Sequence, residues 1–332
     1  MVLKTLILLV SALSFSSSQQ MTCTYSINTA YFDKPYQCTL NVNNPDGLDD
    51  AISIGGTHLG TSIMDQYGNL VSTYNNDSSV QIVKVVGVTK NIPTAICRQF
   101  PNIRELDLTD TSLQILSATK CSKLISLTVW YNQIEESVVD LCQYQPALQQ
   151  ITMSFNKIYI LSDVTLRSCK NLLRFQVAIN QIPTISSTFF ANTPIIQSIA
   201  IGENPITVIP NGLFNGLSKL LFLYINNLLI TDLPLNIFAD TNQLKGLNMQ
   251  NNKLMTITSK WFTSATLQSI TDINLDGSDV NAIDPVFFTL ATNLYTFSLL
   301  NNKCYNGKIT DFVAKRSSYM PGFQVCINNF TA

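Results

Sequence analysis

Apolar residues in this chain follow one pattern, Leu-x-x-Leu-x-Leu-x-x-Asn-x-Leu, that returns down most of its length. The fullest copies run from Leu124 to Ile134, Leu148 to Ile158, Leu172 to Ile182, Ile196 to Ile206 and Leu244 to Leu254, with looser ones starting at Ile103, Leu220, Ile270 and Leu294. Successive starts lie 21, 24, 24, 24, 24, 24, 26 and 24 residues apart, a regularity that isolated amphipathic strands do not produce. Within each copy positions 4 and 6 are apolar while 3 and 5 are mostly polar, which is the two-residue period of a half-buried strand. The pattern therefore predicts short strands stacked in parallel, one per repeat, each burying its leucines only against its neighbours.

Position 9 carries Asn132, Asn156, Asn180, Asn204 and Asn252. There the chain turns inward and leaves backbone groups unpaired, and stacked amides can pair them at about 1 kcal/mol per bond. Thr111, Leu228 and Ser278 stand where the amide is missing, so those coils are expected to be irregular. Strands about 4.8 Å apart take less room than the bulkier segments behind them, so the stack should curve with its strands on the concave side.

These features resemble the extracellular leucine-rich-repeat family of the 24-residue class over roughly residues 80 to 304. The segments between motifs fit it too, in Ile209-Pro210 with Phe214, Leu233-Pro234 with Phe238, and Ile283 with Phe288. The opening section, Cys23 to Cys38 followed by Ile52-Ser53-Ile54-Gly55-Gly56-Thr57-His58, is similar to the N-terminal cap of small secreted insect leucine-rich-repeat proteins. The resemblance implies an α/β solenoid: a leucine-rich-repeat horseshoe with a parallel concave β-sheet, an irregular or short-helical convex side, and disulfide-capped ends.

Met1 to Ser18 has the layout of a signal peptide, with an apolar run from Leu6 to Val10 and a serine-rich exit. Residues 19–79 are expected to form a β-rich N-terminal cap, 80–303 nine to ten repeats, and 304–332 the C-terminal cap. No later stretch reaches the length of a membrane span, and the tail lacks the hydrophobic run of a lipid-anchor signal, so a secreted, extracellular protein without a membrane anchor is expected.

Eight cysteines follow the expected cleavage point, an even number bound for an oxidising compartment. Cys23 with Cys38 should close the N-terminal cap, a loop worth about 3 kcal/mol, and Cys304 with Cys326 should pair across the last coil and a short helix around Ile309 to Arg316. Cys97 and Cys142 each lie six residues before a repeat start, and Cys121 and Cys169 each lie three before one. This offset suggests Cys97 to Cys121 and Cys142 to Cys169; four reduced cysteines filling core positions is the alternative. Asn76-Asp77-Ser78 and Asn329-Phe330-Thr331 are glycosylation sequons outside the regular repeats.

Little here suggests catalysis. The single histidine, His58, falls in the expected cap, and no nucleophile elbow, Walker loop, dinucleotide fingerprint or zinc-binding spacing is present. Glu105 and Asp107 project from one strand, and Asp272, Asp276 and Asp279 form a second acidic group, but solvated strand charges account for both. No catalytic residue, metal or cofactor is expected. Lys plus Arg is 20 against Asp plus Glu 21, so charge does not draw the chain to nucleic acid.

Outward columns are more telling, because parallel strands place equal positions side by side. Column 8 begins Tyr131, Phe155, Ile179; Trp130 stands beside it in column 7, Arg174 in column 3, and Phe222 and Tyr224 further along. Large rings and arginine on a wet face are the residue types of binding hot spots, although column 8 could instead tuck beneath the adjoining turn. The remaining concave positions, such as Thr128, Gln150, Thr152, Gln176, Ser198, Asn248 and Gln250, are neutral and hydrogen-bonding. The expected function is recognition of an extracellular protein or glycan through the concave face, in innate immunity or extracellular matrix. The alternative is a structural, self-associating secreted protein without a single ligand, and the oligomeric state is left open.

Overall fold

The computed structural model describes residues 20–27, 35–44, 53–59, 61–64, 70–74 and 76–331; the expected leader, residues 1–18, and parts of the expected N-terminal cap lie outside them. A single 14-stranded sheet runs along the described residues. Its repeat strands are three residues long, from Glu105–Asp107 and Ser126–Thr128 through to Thr296–Ser298, and every adjacent pair is parallel and in register. The fold is the leucine-rich-repeat horseshoe, with about nine turns. Position 3 therefore forms one continuous row (Gln150, Arg174, Ser198, Phe222, Gly246, Asp272), and position 5 another (Thr152, Gln176, Ala200, Tyr224, Asn248, Asn274).

Inward residues at positions 4 and 6 are buried in every coil, as Leu127 with Val129 and Leu223 with Ile225 illustrate. Behind them a row of phenylalanines packs coil on coil: Phe214 stacks on Phe238 at 6.0 Å between centroids, Phe238 on Phe262 at 5.0 Å, and Phe262 meets Phe287 at 6.2 Å. These rings fill the part of these four coils away from the sheet. The convex side carries turns and three short helices, Ala95–Gln99, Ser264–Ser269 and Pro285–Leu290, the last started by Pro285 and an Asp284 side-chain cap.

The ninth-position amides do form a ladder. Asn180 Nδ2 donates to the carbonyls of Met153, Val177 and Ala178, while its Oδ1 accepts from the Ile158 N–H of the coil before. Asn132, Asn156, Asn204 and Asn252 donate in the same way, and Asn302 adds a further rung. Of the three departures, Thr111 joins through its own N–H and hydroxyl, both donated to Asn132 Oδ1. Ser278 does part of the work, its hydroxyl donating to the Met249 carbonyl. Leu228 makes the real break: it is buried with nothing to offer, and beside it Asn252 Oδ1 is buried without a partner.

At the N-terminal end the strand Val80–Thr89 pairs with Glu105–Asp107 on one side and with Tyr36–Asn44 on the other. Gln20–Ile27 then adds antiparallel to Tyr36–Asn44, so a wider β-structure closes the stack. At the other end the expected helix over Ile309 to Arg316 is not there. Lys308–Ile309 is instead a strand laid antiparallel on Thr296–Ser298, and the helical segments come later, within 316–328. Strand pairing wins there because it covers the last open edge of the sheet, which would otherwise leave backbone groups unpaired. Disulfides join Cys23 to Cys38, Cys97 to Cys121, Cys142 to Cys169 and Cys304 to Cys326, the middle two linking consecutive coils.

If the amide ladder holds the turns in place, Asn180→Ala leaves three carbonyls and one N–H short of a partner. We expect a loss of about 2–4 kcal/mol in urea unfolding, against under about 1 kcal/mol for the neighbouring exposed Gln181→Ala. Equal effects at the two positions would refute the ladder's role.

Candidate functional site

Just past each strand the chain must turn inward, and position 8 makes the turn in the left-handed region in all nine coils. Asp110, Tyr131, Phe155, Ile179, Glu203, Asn227, Asn251, Gly277 and Asn301 have φ between 50° and 63°. Glycine and asparagine accept this conformation at small cost, whereas for bulky or β-branched side chains it is an outlier. In the last coils the sequence obeys that rule, with Asn227, Asn251, Gly277 and Asn301. At Gly277 there is also no room for a side chain, because an added Cβ would strike Asn251 Oδ1. In three consecutive coils the sequence breaks the rule with Tyr131, Phe155 and Ile179. Nothing in the turn asks for these side chains, so their presence points to a use for the side chains themselves.

The three positions form the rim of the concave face, not its floor. Tyr131 and Phe155 stack at 4.2 Å between centroids, and Trp130 sets its ring edge-on to both, at 6.2 and 6.0 Å. Trp130 is 36% exposed and Tyr131 49%, while Phe155 and Ile179 are half-buried. The rings do not tuck beneath the turn, because they pack against one another and leave an outer aromatic edge in solvent.

The other three candidates sit elsewhere. Arg174, Phe222 and Tyr224 project from strand positions 3 and 5 on the floor of the concavity, so the seven residues divide between two places. Phe222 and Tyr224, at 43% and 40% exposure, wall a pocket of 260 Å³ that continues over Asn248, Asp272 and Asp276 to Lys308. Lys308 could not be assigned to it from the repeat pattern, since it arrives on the final antiparallel strand. Asn248 and Asp272 lie in the concave columns but carry no aromatic signal.

Other chemistry considered from the sequence resolves into structural roles. His58 Nε2 lies 3.1 Å from Asp77 Oδ1, its ring packs 4.0 Å from that of Tyr25, and Tyr25 donates its own hydrogen bond to Asp77. Burial first, and that bond second, raise the Tyr25 phenol well above its ordinary pKa. The group ties the outer strands to the 77–79 turn. Asp107 Oδ1 accepts from the N–H and hydroxyl of Thr109, and so braces a turn. The acidic trio is divided: Asp272 accepts from Thr271, Asp276 from Ser298 and Leu300, and Asp279 pairs with Lys303 at 3.3 Å. Among the described residues no group of three or more His, Cys, Asp or Glu is placed to hold a metal ion. Of the sequons, Asn76 caps the 77–79 turn and Asn329 Nδ2 donates to Asn281.

Sequence and structure comparisons agree with this architecture. The model of the BspA type leucine rich repeat region matches residues 136–268 and 230–313, together more than half of the chain. No curated protein matches it. Among solved structures, the leucine-rich-repeat domain of APL1 aligns with 86% of this chain and 72% of its own, at 14% identity and a TM-score of 0.58. A Toll–Spatzle complex, described as a hub in Drosophila development and innate immunity, aligns over 77% of this chain and 38% of the matched one, at 17% identity and a TM-score of 0.58. An octameric complex of Latrophilin 3, Unc5D and the leucine-rich repeats of FLRT2 aligns over 69% and 70%, at 19% identity and a TM-score of 0.54. At these identities the likeness is one of fold.

Because position 8 prefers asparagine, Tyr131→Asn should not cost stability. We expect the urea midpoint to stay level or rise, by up to about 1 kcal/mol of relieved backbone strain. A loss above about 1 kcal/mol would mean that the ring holds the fold together, and would remove the case for a site.

Proposed function

The chain belongs to the BspA-type leucine-rich-repeat family, and from that premise we propose that it is a secreted recognition protein that grips an extracellular protein partner at the rim of its concave face. The observation that carries this reading is the Trp130, Tyr131 and Phe155 cluster. Three rings are held together, two of them, Tyr131 and Phe155, at turn positions that favour small polar residues, and Trp130 and Tyr131 keep their outer edges in water. Trp and Tyr are the side chains that dominate binding energy when a partner desolvates them, and a rigid cluster loses little rotamer entropy in doing so. Arg174 and the neutral row of Gln150, Thr152 and Gln176 lie inward of the rim, and would supply hydrogen bonds around the aromatic centre.

Several features support an extracellular setting. All eight cysteines are paired. No described helix is long and apolar enough to cross a membrane. Solved scaffolds of the same fold stand in complexes with proteins, Toll with Spatzle and FLRT2 with Latrophilin 3 and Unc5D. On this reading residues 1–18 are a cleaved leader, 19–79 and 304–332 cap the repeats of 80–303, and Asn76 and Asn329 carry glycans away from the rim. Roles in innate immunity or extracellular matrix fit such a protein.

The test is a panel of purified extracellular domains presented to the native protein and to a Trp130→Ala, Tyr131→Ala double variant. A saturable partner whose affinity falls at least about 30-fold in the variant, as loss of about 2 kcal/mol at a hot spot requires, supports the rim. Equal binding by the variant refutes it. Concentration-dependent assembly without any saturable partner would replace it with the self-associating structural reading.

A further inference from the structure

On the concave floor, away from the rim, the pocket beneath Phe222 and Tyr224 has a distinct chemistry. Its volume, 260 Å³, lies below the roughly 300 Å³ at which pockets begin to enclose drug-sized ligands, so it suits a single ring. Phe222 leans over the neighbouring coil at Gly246, where an added Cβ would come within 2.9 Å of Phe222 Cδ1. Glycine at that one place lets the aromatic face lie across the strand as a platform.

Facing the platform is a prearranged polar wall. Asn248 Oδ1 accepts from the Gln250 N–H, Gln250 Oε1 accepts from Asn274 Nδ2, and Asn274 Oδ1 accepts from the Asp276 N–H. Asp276 Oδ1 is in turn held by the Ser298 hydroxyl and the Leu300 N–H. These bonds fix the side chains while leaving others unspent. Within the described residues Asn248 Nδ2, the Tyr224 hydroxyl, Asp272 Oδ1 and Lys308 Nζ make no hydrogen bond and line the pocket. Two donors, one acceptor and one group that is both, set around an aromatic face, match a ring that has an apolar face and a rim of hydroxyls. Asp272 and Asp276 against Lys308 leave the lining one net negative charge, which disfavours an anionic ring, while the Ser298 and Leu300 donors already occupy Asp276 Oδ1.

We propose that this pocket is a saccharide subsite that takes one neutral pyranose ring of a glycan, with Phe222 as its stacking platform and Asp272, Asn248 and Lys308 as its hydroxyl partners. It begins four coils from Tyr131, at Phe222, on different side chains, and stands or falls independently of the rim.

Saturation-transfer NMR on the full secreted protein tests it, with the methyl glycosides of glucose, galactose, mannose and N-acetylglucosamine as probes and choline as a cationic control. At least one glycoside should bind the native protein, and should bind at least about tenfold more weakly to Phe222→Ala and to Asp272→Asn. Both substitutions are at exposed positions, and circular dichroism would verify that each variant is folded. The Trp130→Ala, Tyr131→Ala variant should bind sugar as the native protein does, which separates failure here from failure of the partner site. No transfer to any glycoside, undiminished binding by both pocket variants, or a preference for choline would each overturn the proposal.

Discussion

Everything in this molecule depends on how the chain leaves a strand. Three residues of sheet are followed at once by an inward turn, and each turn exposes carbonyls and N–H groups that water cannot reach. The ninth-position amide answers both needs, donating to its own coil and the coil before while accepting from an N–H of that earlier coil, as Asn180 does. The geometry that aims the amide inward demands a left-handed residue just ahead of it, which explains why all nine position-8 residues share one φ despite seven different residue types. Leucines supply the greater part of the burial, but they could be buried in many arrangements. The turn selects this one.

A turn position with a fixed backbone leaves its side chain free to vary at known cost. Toward the C-terminal end the chain spends that freedom on Asn and Gly, which relax the backbone and even bond one another, Asn251 Nδ2 donating to Asn227 Oδ1. In coils beginning at Leu124, Leu148 and Leu172 it accepts strain and places Tyr, Phe and Ile instead. Floor and rim thus follow different rules. Strand positions 3 and 5 are cheap to vary, so an aromatic such as Phe222 there says less about selection than one at position 8.

Most of the architecture was legible because period and burial are the same physics. Spacing alone located every repeat strand, the inward and outward positions, the ladder and the coil at Leu228 where it breaks, whereas Thr111 and Ser278, expected to be irregular too, partly replace the amide through their hydroxyls. The candidate residues were also found, but they were read as one surface. The strand stops at position 5, so Trp130 and Tyr131 belong to a rim that a column count treats as more floor. The left-handed turn was hidden for a related reason: Tyr, Phe and Ile are not turn residues, yet their backbone matches that of Asn251. The pocket's far wall was invisible, because Lys308 belongs to a two-residue strand with no periodicity, in a segment expected to be helical.

The disulfides divide the solenoid mechanically. Cys97–Cys121 and Cys142–Cys169 staple coils on either side of Trp130 and Tyr131, whereas none joins the coils from Ile182 to Cys304. Stretching or bending the arc should therefore concentrate in the unstapled half, much as a partly stiffened spring opens where its turns are free. The broken rung at Leu228 falls in that half. The rim is then a rigid anchor, and the floor around Phe222 and Tyr224 is the compliant stretch of the arc, whose curvature can adjust to what lies against it.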